Sequence, residues 1–516
     1  MTQSDSQANF TRRDLLKLIS LVPVVSMLQP LGRILGNVNA GQAPNVIVLV
    51  FDAWSAHDVQ LFGYPRQTMP NLAKFAEDAI VYHSHYSAGT FTVPGTASLL
   101  TGLYPWSHRA LQLGGGIIKP HINHEVFTAV QGALSTIGYT QNTYADVIMG
   151  QAERYIKEHL PTGSFGLENE FIYNLPIFEN DTLISYAGLE DNIFNLGGKG
   201  TTGSLFVAPF TNYWLSYQKL RLNGKYAKEY PGGLPDSDTN GVYTLEGIVD
   251  GVIKTLGEIR EPTFAYLHFL PPHEPYCPTS EYIKAFDDDF HPVIKPVHPL
   301  SYKSVDPGGL AKRRRLYDQY LASWDQAAGK LFDFLKTSGL RDNSYIFITA
   351  DHGEIFERGE LGHFTPLIYD PLIHIPLLVS QPGQKARQDV FASTSNVDIL
   401  PTIARLANIA PPGWVEGNLL PRLGGAENPD RSVFVIDAKE DSSFGPLTRF
   451  TASISRDGFR LVDYQYREYT GFELYNLVED PEELKNLYGA NPAILRSLKD
   501  ELLQKLADVN RPYQKG

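Results

Sequence analysis

The hydroxyl-bearing stretch 87–105, SAGTFTVPGTASLLTGLYP, is the strongest chemical feature of this 516-residue chain. It predicts a turn carrying Thr90, Thr92 and Thr96, then a short helix over 95–101 that stops at Gly102. Pro94 suits the first helical turn, where a missing N–H costs nothing, and Thr92 stands where a cap would stand. A hydroxyl there also lies where unpaired N–H groups and the helix dipole favour an anion. Capping and anion chemistry both fit Thr92.

Two carboxylates and an imidazole can join that hydroxyl. Asp52 follows the apolar run Asn45–Phe51, and the pair Asp351-His352 follows YIFIT at 345–349. Residues at the C-terminal ends of buried parallel strands meet at one sheet edge, which is where ligands bind in such sheets. Asp52, Asp351, His352 and Thr92 together offer hard oxygen donors and one nitrogen, a set suited to one divalent ion, Ca²⁺, Mn²⁺, Mg²⁺ or Zn²⁺. Such an ion would favour the alkoxide of Thr92, an otherwise poor nucleophile at neutral pH. His273 and His363 are the candidates for protonating a leaving group or binding an oxyanion. His57, Asp58, His108 and Arg109 are weaker, since nothing in the sequence fixes their direction.

The elements that must hold these residues alternate. Strands are expected at Asn45–Phe51, 80–86, 139–145, Thr263–Phe269 and 345–349, with helices over 72–78, 124–138, 245–259 and 312–338. That rhythm implies an α/β fold, a large mostly parallel sheet with helices on both faces. Residues 150–240 break it with an Asn-, Gly- and aromatic-rich insertion that includes Phe165, Phe171, Tyr173 and Trp214. It is read equally as a lid over the active-site face or as structural elaboration. From 413 the composition shifts to short strands at 432–436, 450–455 and 458–464 and a last helix near 492–509, a small α+β subdomain.

Composition narrows the partners. A formal net charge of −13 argues against nonspecific nucleic-acid binding. With Cys277 alone, neither an intramolecular disulfide nor a Cys-based zinc site can form. Residues 1–40 read as a targeting segment: FTRRDLLK at 10–17 resembles a twin-arginine export signal, followed by an apolar run at 18–28 and Val38-Asn39-Ala40. The run is broken by Pro23 and too short to span a bilayer comfortably, so membrane contact would come only through an uncleaved N-terminal segment. The expected location is periplasmic or extracellular.

The motif Thr92-x-Pro94-x-x-Ala97-Ser98-Leu99-Leu100-Thr101-Gly102, with Leu103-Tyr104-Pro105 after it, resembles the nucleophile segment of the sulfatase family within the alkaline phosphatase superfamily. Thr68-Met69-Pro70-Asn71-Leu72, the Pro-His-Glu-Pro element around His273 and Glu479-Asp480-Pro481 fit the same pattern, so the resemblance covers nearly all of 44–510. It implies an alkaline phosphatase-like fold, with a catalytic domain at 41–412 and a C-terminal subdomain at 413–516. It also implies metal ligation by Asp52, Thr92, Asp351 and His352. His363 is similar in placement to the late active-site His of phosphoethanolamine transferases.

Two departures bear on chemistry. Thr92 replaces the Cys that becomes formylglycine, and Thr96 replaces the Arg that supports it. Formylglycine is a hydrated aldehyde, so its sulfated form can expel sulfate by elimination; threonine has no second hydroxyl for that route. The expectation is therefore a metal-dependent hydrolase of sulfate or phosphate esters, phosphoester favoured, acting on a small ester, a glycan or a lipid headgroup. A phosphoethanolamine- or phosphoglycerol-type transferase and an inactive glycan-binding member are the alternatives.

Overall fold

In NVIVLVF every residue is apolar except the first, and the strand it forms, β1 (Asn45–Phe51), is buried along its whole length. Val46, Val48 and Val50 enter one apolar core, while Ile47, Leu49 and Phe51 enter another on the opposite face. Each such side chain removed from water contributes about 1.5–3 kcal/mol, which is why a two-faced apolar strand takes the middle of the sheet. The computed structural model describes residues 43–167, 207–237, 241–301, 305–490 and 492–513. The twin-arginine segment at 1–40 and the greater part of the aromatic insertion, Phe171 and Tyr173 among it, lie outside the described residues.

Seven further strands flank β1: β2 (Ile80–Tyr82), β3 (Ser135–Thr140), β4 (Glu158–Leu160), β5 (Thr263–Phe269), β6 (Ser344–Thr349), β7 (Leu377–Ser380) and β8 (Gln388–Val390). Their order across the sheet is β8-β2-β7-β6-β1-β5-β3-β4. Every pairing is parallel except the two made by β7. One core face is covered by α1 (Pro70–Ala76) with Leu72 and Phe75, α4 (Leu245–Gly257) with Ile248 and Val252, and α5 (Pro307–Thr337) with Trp324 and Leu331. The other face is covered by α2 (Thr92–Thr101), α3 (Thr143–Gly150) and α6 (Ile399–Leu406). The expected α/β architecture is the one observed.

The C-terminal part is a four-stranded antiparallel sheet, β9 (Val433–Asp437), β10 (Phe450–Arg456), β11 (Phe459–Gln465) and β12 (Thr470–Asn476). Helix α7 (Pro492–Asn510) lays Leu498, Leu502 and Leu506 on one face of it, together with Tyr104 and Trp106 from the loop after α2. No helix among the described residues is long and apolar enough to cross a membrane.

Several local expectations are corrected. The stretch 124–138 is not one helix: Val126–Ala129 makes a single turn and β3 already begins at Ser135. The strand expected at 139–145 ends at Thr140, because Asn142 caps α3. Within the insertion, helix Val207–Tyr226 forms, and Leu222, Tyr230 and Leu234 join the core under α4. Phe165 packs tilted against Tyr139 at a ring distance of 4.4 Å. These described parts of 150–240 elaborate the core.

Candidate active site

Asp52 and Asp351 are brought together by strand register. Val50 of β1 lies opposite Thr349 of β6, so two residues further on the two carboxylates leave the sheet side by side. Both are fully buried. The turn after Asp52 is held by Ala53 in the left-handed region (φ 56°), whose carbonyl accepts from Tyr317 Oη on α5 at 2.7 Å. Ala53 N and His352 N donate to Asp351 Oδ1 at 3.3 and 3.0 Å.

Helix α2 begins at Thr92 rather than at Gly95, and Phe91 is its cap without a side-chain hydrogen bond. The capping reading of Thr92 is thereby overturned: its hydroxyl lies against His352 and Asn142. Gly95 permits this approach, since a Cβ there would stand 2.4 Å from the Asp351 carbonyl oxygen. Ser87 Oγ donates to the same carbonyl at 2.5 Å, and Asn396 Nδ2 donates to Gly95 O at 3.1 Å. Thr90 turns the other way and donates to Asp437 of β9 at 2.8 Å.

Thr92 Oγ1 stands 3.3 Å from His352 Nε2 and 3.3 Å from Asn142 Nδ2. His352 Nδ1 lies 2.8 Å from Gly353 O. A carbonyl only accepts, so Nδ1 carries a proton and Nε2 is the nitrogen turned to Thr92 and the carboxylates. Asn142 is oriented with equal definiteness: its Oδ1 accepts from Tyr144 N and Ala145 N at the start of α3, which leaves Nδ2 to donate to Asp52 Oδ2 at 2.6 Å and to Thr92. Asn142 was hidden from sequence reasoning by the strand drawn through it. The signal available was the Asn-Thr step after a strand-like run, a helix-start pattern.

A second residue missed from sequence is His268 on β5. Its Nε2 is 3.3 Å from Asp52 Oδ2 and 3.9 Å from Asp351 Oδ2, and its Nδ1 pairs with Tyr266 Oη at 3.0 Å. His352 Nε2 reaches Asp52 Oδ1 and Asp351 Oδ2 at 3.4 and 3.5 Å. Burial and then the Asp52 charge push the Asp351 carboxyl up. For Asp52 burial acts upward, but charge at His273 and the close imidazoles of His268 and His352 hold it well below the usual range. Burial opposes charge on His352, yet Asp351 and Asp52 outweigh it and raise the ring to about 9. The centre demands positive charge.

That demand fits a cation. Asp52 Oδ1, Asp351 Oδ2 and His268 Nε2 are buried and without hydrogen-bond partners, although such atoms are costly to leave unpaired. Asp52, His268 and Asp351 place ligand atoms within 4.8 Å of one another. With His352 and Thr92 the set holds carboxylates, imidazoles and a hydroxyl, which suits Mn²⁺ or Zn²⁺ better than the all-oxygen preference of Ca²⁺ or Mg²⁺.

His363 and His273 pack in sequence beside His352 as tilted rings, at ring distances of 4.5 Å (His352 to His363) and 4.7 Å (His363 to His273). His363 Nδ1 lies 3.3 Å from Glu354 Oε1. Burial, then the charges of His352 and His273, hold His363 well below the usual imidazole range. Burial and Glu274 push Glu354 up to about 8. His273 is half-buried, and its Nδ1 donates to Glu274 O at 2.6 Å, which leaves Nε2 available.

The weaker candidates are elsewhere. His57 pairs with Asp370 and Asp58 with Arg314. His108 accepts from Ala110 N and bonds Ser98 Oγ, a buried brace on α2. Arg109 lies 4.3 Å over the Tyr513 ring and donates to Gly445 O, fastening the C-terminal sheet.

Residues 44–409 match the family model described as Sulfatase, and residues 359–511 match N-sulphoglucosamine sulphohydrolase, C-terminal. A multifunctional alkaline phosphatase superfamily protein of Trinickia caryophylli is 23% identical, over 88% of this chain and 93% of its own. Human N-acetylglucosamine-6-sulfatase is 25% identical, over 93% of this chain and 86% of its own. Among solved structures, a phosphonate monoester hydrolase of Agrobacterium radiobacter superposes with a TM-score of 0.63 at 19% identity, covering 90% of this chain and 96% of that one.

Proposed function

The chain belongs to the sulfatase family of the alkaline phosphatase superfamily and is a hydrolase of sulfuric or phosphoric ester bonds; we propose that Thr92 is its nucleophile and that it prefers phosphate or phosphonate esters to sulfate. One observation carries this reading: the Thr92 hydroxyl stands at the start of α2, 3.3 Å from Asn142 Nδ2, which donates to it, and 3.3 Å from His352 Nε2, one of the atoms that would hold the ion.

Asp52, Asp351, His352 and His268 would hold the divalent ion, with Thr92 beside them. When bound, the ion would supply the positive charge that lowers the Thr92 pKa and offsets charge on the transferred group. Thr92 releases its proton to solvent water, and Asn142 donates to the resulting alkoxide and stabilises it. The Thr92 oxygen then forms the bond to phosphorus as the bond to the leaving oxygen breaks, in line, giving a covalent phosphothreonine. His273, half-exposed with Nε2 available, gives the proton to the leaving oxygen. His363, between the rings of His352 and His273, positions an oxygen of the transferred group or the water that ends the cycle. Because Thr92 has no second hydroxyl, release needs attack by water at phosphorus, a route that phosphate allows. Likeness to a phosphonate monoester hydrolase supports the same substrate class. The twin-arginine pattern at 10–17 supports action outside the cytoplasm.

The experiment is a panel of matched nitrophenyl esters, sulfate, phosphate monoester, phosphate diester and phosphonate, with metal-loaded protein and its Thr92→Ala variant. Phosphoester or phosphonate turnover that falls more than about a thousandfold in Thr92→Ala supports the reading. Dominant sulfate turnover contradicts the preference, and activity kept by Thr92→Ala contradicts the nucleophile.

A further inference from the structure

We propose that His57, Asp370 and His374 form a second metal site, for a zinc-type divalent ion, independent of the Thr92 centre. His57 stands on the helical turn Ala56–Asp58, and Asp370 and His374 bracket the turn Asp370–Ile373, four residues apart. His57 Nε2 lies 2.7 Å from Asp370 Oδ2, and His374 Nδ1 lies 3.0 Å from the same oxygen. The three ligand atoms are all within 4.8 Å of one another.

The tautomer of His374 carries the argument. Its Nε2 is 2.9 Å from the His83 carbonyl oxygen, which can only accept, so Nε2 bears the proton. In the neutral ring Nδ1 is then a lone pair, aimed at a carboxylate oxygen 3.0 Å away. Two lone pairs at that separation repel, and a positive species between them, a second proton or a metal ion, removes the repulsion. An imidazole that donates its far N–H to a carbonyl is the arrangement that orients metal-bound histidines.

Asp370 is prepared in the same way. Its Oδ1 accepts from Arg460 Nη2 at 2.6 Å; Arg460 also donates to Glu483 Oε1 at 2.9 Å, and Glu483 Oε2 accepts from Asp370 N at 2.9 Å. One carboxylate oxygen is thus fixed by the protein and the other is turned to the two imidazoles. Zinc takes nitrogen and oxygen at about 2.0–2.2 Å, so ligand atoms in a tetrahedron stand about 3.3 Å apart. An opening of a few tenths of an ångström would seat the ion. His57 is 24% exposed at its side chain and His374 13%, and both line a cavity of about 260 Å³ that gives an entry path and room for a fourth, water ligand. None of Thr92, Asp52, Asp351, His352, His273 or His363 lines that cavity. Two nitrogens and one oxygen select zinc-type ions over Ca²⁺ and Mg²⁺. The ion would tie the loop after β1 to the segment before β7 and, through Arg460 of β11, to the C-terminal sheet.

The test is the zinc content of the full chain after loading and gel filtration, for wild type, His57→Gln, His374→Gln and Asp52→Asn. His57→Gln keeps a hydrogen-bond donor toward Asp370 while losing the imidazole ligand, and circular dichroism reports whether each variant is folded. The expected result is about one equivalent less zinc in each histidine variant than in wild type, with that equivalent kept in Asp52→Asn. Anomalous scattering at the zinc edge from loaded wild-type crystals should show a peak within about 2.3 Å of His57 Nε2, His374 Nδ1 and Asp370 Oδ2. Equal zinc in wild type and both folded histidine variants, or no peak among the three side chains, overturns the proposal and leaves a protonated His-Asp-His brace.

Discussion

Asp52 and Asp351 leave adjacent parallel strands in register, both fully buried, each with one carboxylate oxygen that receives no hydrogen bond. Two like charges so placed destabilise the fold unless a cation joins them. Chelation should therefore lower the melting temperature by at least about 3 °C, the effect of losing an ion held at a hundredfold or more above its Kd. Asp351→Asn should melt higher than wild type without metal and gain less when manganese or zinc is added. Scanning calorimetry with and without chelator checks both, and a wild-type melting point indifferent to metal would contradict the site.

Asn142 joins two tasks, capping α3 through Oδ1 and donating to Asp52 and Thr92 through Nδ2. Substitution can separate them. Asn142→Ser keeps a cap acceptor, removes the Nδ2 donor and adds no charge beside Asp52, so kcat should fall about a hundredfold with little loss of stability. Asn142→Ala should lose a comparable factor in kcat and about 1 kcal/mol of stability as well. Steady-state kinetics beside denaturant melts distinguish the two roles.

His273 acts on the leaving group, so its importance must depend on how much help that group needs. His273→Gln should cost about a hundredfold on alkyl phosphoesters and much less on nitrophenyl esters, whose leaving oxygen departs without a proton. A linear free-energy plot over a leaving-group series checks this. An equal loss across the series would assign His273 to positioning.

His159 gives a pH signature far from the chemistry. Burial opposes its charge, but Asp146, 3.1 Å from Nε2, and Glu153 at Nδ1 raise the ring to about 9. Because the folded value lies above the unfolded one of about 6.5, the stabilisation is complete below pH 6.5 and is lost as pH rises through 9. After allowance for solvent screening it is worth about 1 kcal/mol. His159→Gln should flatten the stability profile between pH 6.5 and 9, as measured by urea midpoints.

Much of this was legible in the sequence, for a physical reason. Strands buried on both faces read as unbroken apolar runs, so β1, β5 and β6 and the polar residues at their ends, Asp52, Asp351 and His352, stand out. Thr92 stood out through its motif, but its orientation did not. Only the packing of Gly95 on the Asp351 carbonyl turns the hydroxyl inward and makes it the first residue of α2 rather than its cap. Asn142 and His268 were invisible for opposite reasons. One looked like part of a strand, and the other is a polar residue inside a true strand whose apolar neighbours mask it. The single-turn helix at Val126–Ala129 was overcalled because its apolar content serves loop packing against the sheet rather than a helix face.

The most direct test of the account is rapid quenching of the metal-loaded enzyme during turnover of a phosphate or phosphonate nitrophenyl ester, followed by peptide mass mapping. The account predicts a phosphoryl or phosphonyl adduct on the peptide that contains Thr92, absent from Thr92→Ala. An enzyme that turns over the ester at full rate with no adduct on that peptide, and whose Thr92→Ala variant remains active, would contradict it.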